Sequence, residues 1–359
     1  MTTTTFEYGL ARIGELDVQT QTDETKKRSV VTGIGVGGDV AKPTTRFWTS
    51  LFMRFGVSET IFKYFDHAEV FERISERSKN DLVRYCVEVS GKKRTLLAVS
   101  NPDRPVVSHD EVCELTSRYG AMETSYSRGV VTTTHTPRSG NQTFELRGDR
   151  FQHRFVMDTP IDGFTQPKIH LSFLRLLCSN GAVGYSRAFR SELAVGKDPT
   201  YSLVRAMESF DNDEGYSALR QRFAASQTSW ASIHETEMLY RTLARLGTTQ
   251  EIRNASDVLA RYRTTTGDLR HFYGLANLDA LSIKRQRVLP ARCKVYDLVN
   301  FASEVATHHA APGAARSLQA YIGGLISDEY DLEGTAEKVG EFKDFFMDAG
   351  PGAPPQSVN

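Results

Sequence analysis

The chain has 359 residues, of which 40% are hydrophobic and 25% charged, with Lys+Arg and Asp+Glu both at 44. This is the composition of a globular protein with a sizeable core. Zero net charge excludes a general field toward DNA or membrane, so any nucleic-acid surface has to be a local patch. The four cysteines, Cys86, Cys113, Cys178 and Cys293, lie far apart with no CxxC, which argues against a compact zinc site or a disulfide framework and fits a reducing cytoplasm. The N-terminus has no apolar signal region and no run of ~18 apolar residues occurs, so neither export nor a membrane span is expected.

Residues 1–45, rich in Thr, charge and Gly, read as a flexible arm. Its "GIGVGGDVAKP" matches GxGxxG at Gly33, Gly35 and Gly38, but Pro43 follows too soon for the helix that a phosphate loop requires. From Arg46 an α+β domain is expected to run to residue 198. "RFWTSLFMRFG" and "DHAEVFERISERS" read as helices, the second opened by a capping box of Asp66 and Glu69. Strands "LVRYCVEVS" and "RTLLAVS" flank a turn at Gly91, and Ser108 with Glu111 caps a helix running to about Tyr119. A three-strand antiparallel meander follows: "ETSYSRGVVTTTH", "QTFELR" and "RFQHRFVMD". Residues 199–349 read as helical, starting at Asp198-Pro199, with "SWASIHETEMLYRTLARLG" the clearest helix and Gly247 as its C-cap. Residues 350–359 form a disordered tail by composition. The expected class is α+β, with the meander and helices in the N-terminal half and a mostly α-helical C-terminal half.

Apolar residues from Ile169 to Leu177 form a buried strand or a buried helix, and periodicity does not separate the two. Asn180-Gly181 stops the element, and Cys178 reads as structural, since nothing lowers its pKa or selects a His base. "LRLLCSNG", together with "KPTTRFWTSLFMRFG", "LLAVSNP", "GDRFQHRF", "TPIDGF" and "TSWASIHE", resembles the phage- and plasmid-like family called domain of unknown function family 932. The resemblance covers roughly residues 40 to 245. It implies a mobile-element protein in a bacterial cytoplasm and supplies no catalytic residue.

Basic residues mark the candidate site. A turn at Gly148-Asp149 sets Arg147 opposite Arg150 and Phe144 opposite His153, leaving Arg147, Arg150 and Arg154 on the outward face. Opposed like charges are unfavourable and so suggest an anionic ligand. Arg138, Lys168, Arg175, Arg187 and Arg190 lie in neighbouring segments, and Tyr126, Phe164, Tyr185 and Phe189 interleave with them. A second run, "KRQRVLPARCK", holds Lys284, Arg285, Arg287, Arg292 and Lys294 without an acid. Cationic grooves with stacking aromatics are the chemistry of single-strand binding. The expected activity is therefore non-enzymatic nucleic-acid binding, single-strand binding or annealing included, with no cofactor and no membrane partner. A virion or host-interaction protein is the alternative, and a nuclease with Mg²⁺ on Asp149, Asp158 and Asp162 the third reading. Self-association and host or phage protein partners stay open.

Overall fold

A computed structural model describes residues 4–23, 28–137, 143–146, 149–175, 180–183, 190–192, 198–209, 213–326 and 330–332. The first 45 residues are a correction to the expected arm. They carry strands β1 (Thr4–Arg12), β2 (Asp17–Asp23), β3 (Arg28–Val36) and β4 (Asp39–Pro43). Thr and Val are strand formers, and alternation buries Ile34, Val36 and Ala41 completely or nearly so. The glycine motif is neither linker nor phosphate loop. Gly37 and Gly38, both at positive φ, turn β3 back onto β4.

Helices α1 (Thr45–Arg54) and α2 (His67–Ser78) follow, the second closed by the expected Asp66–Glu69 box. Strands β5 (Leu82–Ser90) and β6 (Lys93–Ser100) complete a six-stranded sheet in the order β1-β5-β6-β4-β3-β2. All its pairs are antiparallel except β4–β6. Phe47, Leu51, Val70, Phe71 and Ile74 of the two helices bury against Val83, Val87, Leu96 and Val99 of the sheet.

Helix α3 (His109–Tyr119) has the expected Ser108–Glu111 box and ends at left-handed Gly120. The stretch expected to be one strand is a hairpin of β7 (Glu123–Ser127) and β8 (Val130–His135). Arg128 and Gly129 both sit at positive φ between them, the backbone that a two-residue primed turn demands. Strands β9 (Thr143–Leu146), β10 (Asp149–Pro160), β11 (Lys168–Arg175), β12 (Asn180–Val183) and β13 (Arg190–Glu192) extend the second sheet. Its main order is β12-β11-β10-β8-β7, with β9 also on β10 and β13 also on β11. The apolar run after Ile169 is thus a strand; Cys178 lies outside the described residues.

The C-terminal half is helical, as expected: α4 (Pro199–Ser209), α5 (Asp213–Thr228), α6 (Ile233–Thr248), α7 (Ala255–Thr266), α8 (Leu269–Tyr273), α9 (Ile283–Val288), α10 (Val295–His308) and α11 (Pro312–Leu325). Asp198 caps α4 by accepting from the Tyr201 N–H at 2.9 Å. Gly247 lies inside α6, whose C-cap is Thr249. A two-strand ribbon, β14 (Trp230–Ser232) with β15 (Pro290–Lys294), interrupts the helices. Phe223 of α5 packs edge-on against Phe151 and Phe173, joining helices and second sheet in one core.

The two sheets are joined by a buried ion pair. Arg46 at the start of α1 donates through Nε and Nη2 to Asp162, with the Phe164 ring 5.1 Å from its guanidinium. Tyr8 of β1 donates to the Ile161 carbonyl at 2.9 Å, and Tyr126 of β7 to Glu88 of β5 at 2.6 Å. Asp162, in the "TPIDGF" stretch, therefore anchors the junction. Gly163 has φ +71, and a Cβ there would meet Val106 at 2.5 Å and Ser100 Oγ at 2.9 Å. Gly163→Ala should cost about 1–3 kcal/mol of stability, read as a lower urea midpoint with an unchanged slope.

Asp158 of β10 accepts from Thr132 at 2.6 Å and lies 3.1 Å from Arg316 and 3.3 Å from His170. Burial alone would push its carboxyl up, but Arg316 and His170 outweigh this and hold it well below the ordinary carboxylate range. A depressed folded pKa stabilises the protein above the unfolded carboxylate pKa, and that contribution is lost as pH falls toward the folded value. Asp158→Asn should therefore flatten the loss of stability between about pH 5 and pH 2, measured by denaturation across that range. An equally steep acid limb in the variant would contradict the assignment.

Candidate nucleic-acid interface

The arginine hairpin does not form the face expected of it. In the β9–β10 ladder Leu146 pairs with Asp149, Glu145 with Arg150, and Phe144 with Phe151. The register is one residue off the expected one, so exposed Arg150 stands opposite Glu145. Phe144 stacks on Phe151 with centroids 5.2 Å apart and also lies 5.3 Å from the His153 ring. Arg154 is buried at 8% exposure, with Glu123 at 3.8 Å, and burial lowers its pKa. It is not a surface contact for phosphate.

Lys168 opens β11, half-buried, opposite Asp158 and Glu192. Arg175 ends β11 and Arg190 opens β13, but their side chains lie outside the described part, as do Arg138, Arg147 and Arg187 altogether. The interleaved aromatics have other work: Tyr126 bonds Glu88, and Phe164 packs on Arg46. Tyr185 and Phe189 lie outside the described residues. Asp158 and Asp162 are each held by an arginine, and no group of three metal-ligating side chains occurs among the described residues.

The second basic run is a different matter. Between Asp279 and Asp297 the sequence has five cations and no acid. Arg287 departs from the expectation: at 2% exposure it is ion-paired with Glu235 and bonded to Tyr330 and the Asp331 carbonyl. Burial lowers its pKa and raises that of Glu235, each opposed by the other's charge. Lys284 and Arg285 of α9 and Arg292 of β15 are exposed, with no ion pair among the described residues.

Strand alternation explains why the cations face out. In β15, Ala291 and Cys293 enter the core while Pro290, Arg292 and Lys294 point away from it. Lys294 pairs across the ribbon with Trp230, and its Nζ lies 3.5 Å from the indole centroid while donating to the Thr228 carbonyl at 2.8 Å. Trp230 is 57% exposed. Arg292 lies over Phe272 of α8 at 5.4 Å, and Phe272 is 53% exposed. Next to it, Tyr273 donates to the Pro290 carbonyl at 2.6 Å, tying α8 to the ribbon.

Cations and half-exposed aromatics thus alternate on one surface. That arrangement can neutralise phosphates through the cations and stack unpaired bases on the rings. Sequence reading missed Trp230 and Phe272. Their signal was the return of Trp230 and Lys294 to one ribbon, which only the pairing of distant segments reveals. No known protein family, curated protein or solved structure matches this chain.

Proposed function

We propose that the protein binds nucleic acid through the surface around β14, β15 and α9, without catalytic chemistry of its own. What carries this reading is the acid-free tract from 280 to 296, with Lys284, Arg285 and Arg292 exposed, Arg292 over exposed Phe272 and Lys294 over exposed Trp230. The motif resemblance supports a setting in phage or plasmid DNA metabolism within a bacterial cytoplasm. No helix among the described residues is long and apolar enough to cross a membrane.

The test is filter binding of labelled single- and double-stranded DNA at 50 and 200 mM salt. A phosphate-driven surface making several contacts loses affinity steeply over roughly that range. Absence of binding at the lower salt would overturn the proposal and leave the virion or host-interaction reading, whose sign is co-purification with particles or a host factor.

A further inference from the structure

Trp230 lines a pocket of about 360 Å³ behind the cationic surface. Its lining includes exposed Trp230, Val288 and Pro290 and buried Glu235, Arg287 and Leu332. The volume falls within the range of small-molecule pockets, ~300–1,000 Å³. It is too large for a packing defect and too small for a helix or a duplex.

Resting on the nucleic-acid reading above, we propose that this pocket takes one unpaired base of a single strand, stacked against Trp230. The charge of the surroundings selects the ligand class. Lys284 and Arg285 precede Val288 on the same short helix, and Arg292 and Lys294 follow Pro290 on the same strand. The opening is therefore flanked on both chain segments by cations that suit a polyanion. Lys294 covers one face of the half-exposed indole, and the proposed base stacks on the other.

The buried polar groups of the lining set the selectivity. Glu235 accepts from Arg287, Tyr330 and the Ser232 N–H, and Arg287 donates onward to the Asp331 carbonyl. Glu235, Arg287 and Tyr330 are bonded to one another, so the pocket is expected to read a base chiefly by shape and stacking. A duplex has to unstack and unpair a base before it can enter, which costs a few kcal/mol. Single strands are accordingly preferred.

The experiment compares labelled oligothymidine, a duplex of the same length and an abasic oligomer, using the full chain and its Trp230→Ala and Val288→Trp variants. The first variant removes the stacking face, and the second fills the opening from an exposed position without changing charge. Both should weaken oligothymidine binding by on the order of 10- to 100-fold, leave duplex and abasic affinities unchanged, and preserve the salt slope. Trp230→Phe should recover most of the loss. Equal effects on all three ligands, or none on oligothymidine, would overturn the base pocket while leaving nucleic-acid binding intact. Failure of the wild-type chain to bind any of the three at low salt would remove both.

Discussion

Arg287→Ala is expected to lower stability by about 3–5 kcal/mol, the loss typical when one partner of a buried ion pair is removed. Three things fail together. The Glu235 carboxylate loses its counter-charge while still buried at 3% exposure, Tyr330 loses a partner, and the Asp331 carbonyl loses the donor at 2.8 Å. Glu235 also closes the capping box of α6 through the Ser232 N–H, so the damage spreads to the start of that helix. Urea unfolding measures the loss. Replacing both partners, Glu235→Leu with Arg287→Leu, should cost less, because no buried charge is left alone; what remains is about 1 kcal/mol for the lost cap, together with the bonds lost at the Tyr330 hydroxyl and the Asp331 carbonyl. A double variant as unstable as Arg287→Ala would mean the pair contributes more than mutual neutralisation. Where the single variant remains folded, its salt slope for nucleic acid should equal that of the wild type, since a buried guanidinium meets no phosphate.

Local signals were the legible part of this fold. Capping boxes at Asp66 and Ser108 depend on residues three positions apart, and each opens a helix where the pattern places it. The turn at Gly91 and the Asp198-Pro199 start are equally local. Three features were not legible, because each depends on pairings that the local pattern does not set. In the Thr-rich first 45 residues β2, β3 and β4 pair with one another, while β1 finds its partner in β5, 70 to 86 residues on, and β4 in β6, 53 residues on. The arginine hairpin pairs one residue off the expected register, with Phe144 opposite Phe151 and packed edge-on against Phe173 of β11. Arg287 sits in a run that looks solvated throughout, yet Glu235 lies 52 residues before it and Tyr330 43 after. The same distance effect hid the better site: Trp230 and Lys294 are opposite each other only once the ribbon has formed.

The largest effect on function is expected from the triple variant Lys284→Gln, Arg285→Gln, Arg292→Gln. Each lost phosphate contact should reduce the magnitude of the salt slope by about 0.7 for single strands and about 0.9 for B-DNA. Three contacts therefore give a reduction of about 2 on single strands. The loss should be uniform across unrelated sequences, because phosphate contacts position the chain without reading bases. Folding should survive, since all three side chains are exposed and none is ion-paired among the described residues. Arg292 also covers Phe272, so its loss adds a small packing cost that thermal unfolding would register separately. The matching control is Arg150→Gln, which stands opposite Glu145 at the hairpin and should leave both affinity and slope nearly unchanged. If instead the control shifts the slope and the triple variant does not, phosphate binding belongs to the β9–β10 hairpin and the ribbon surface serves another purpose. Because the two substitutions sit in separate elements of the fold, one titration series decides between them.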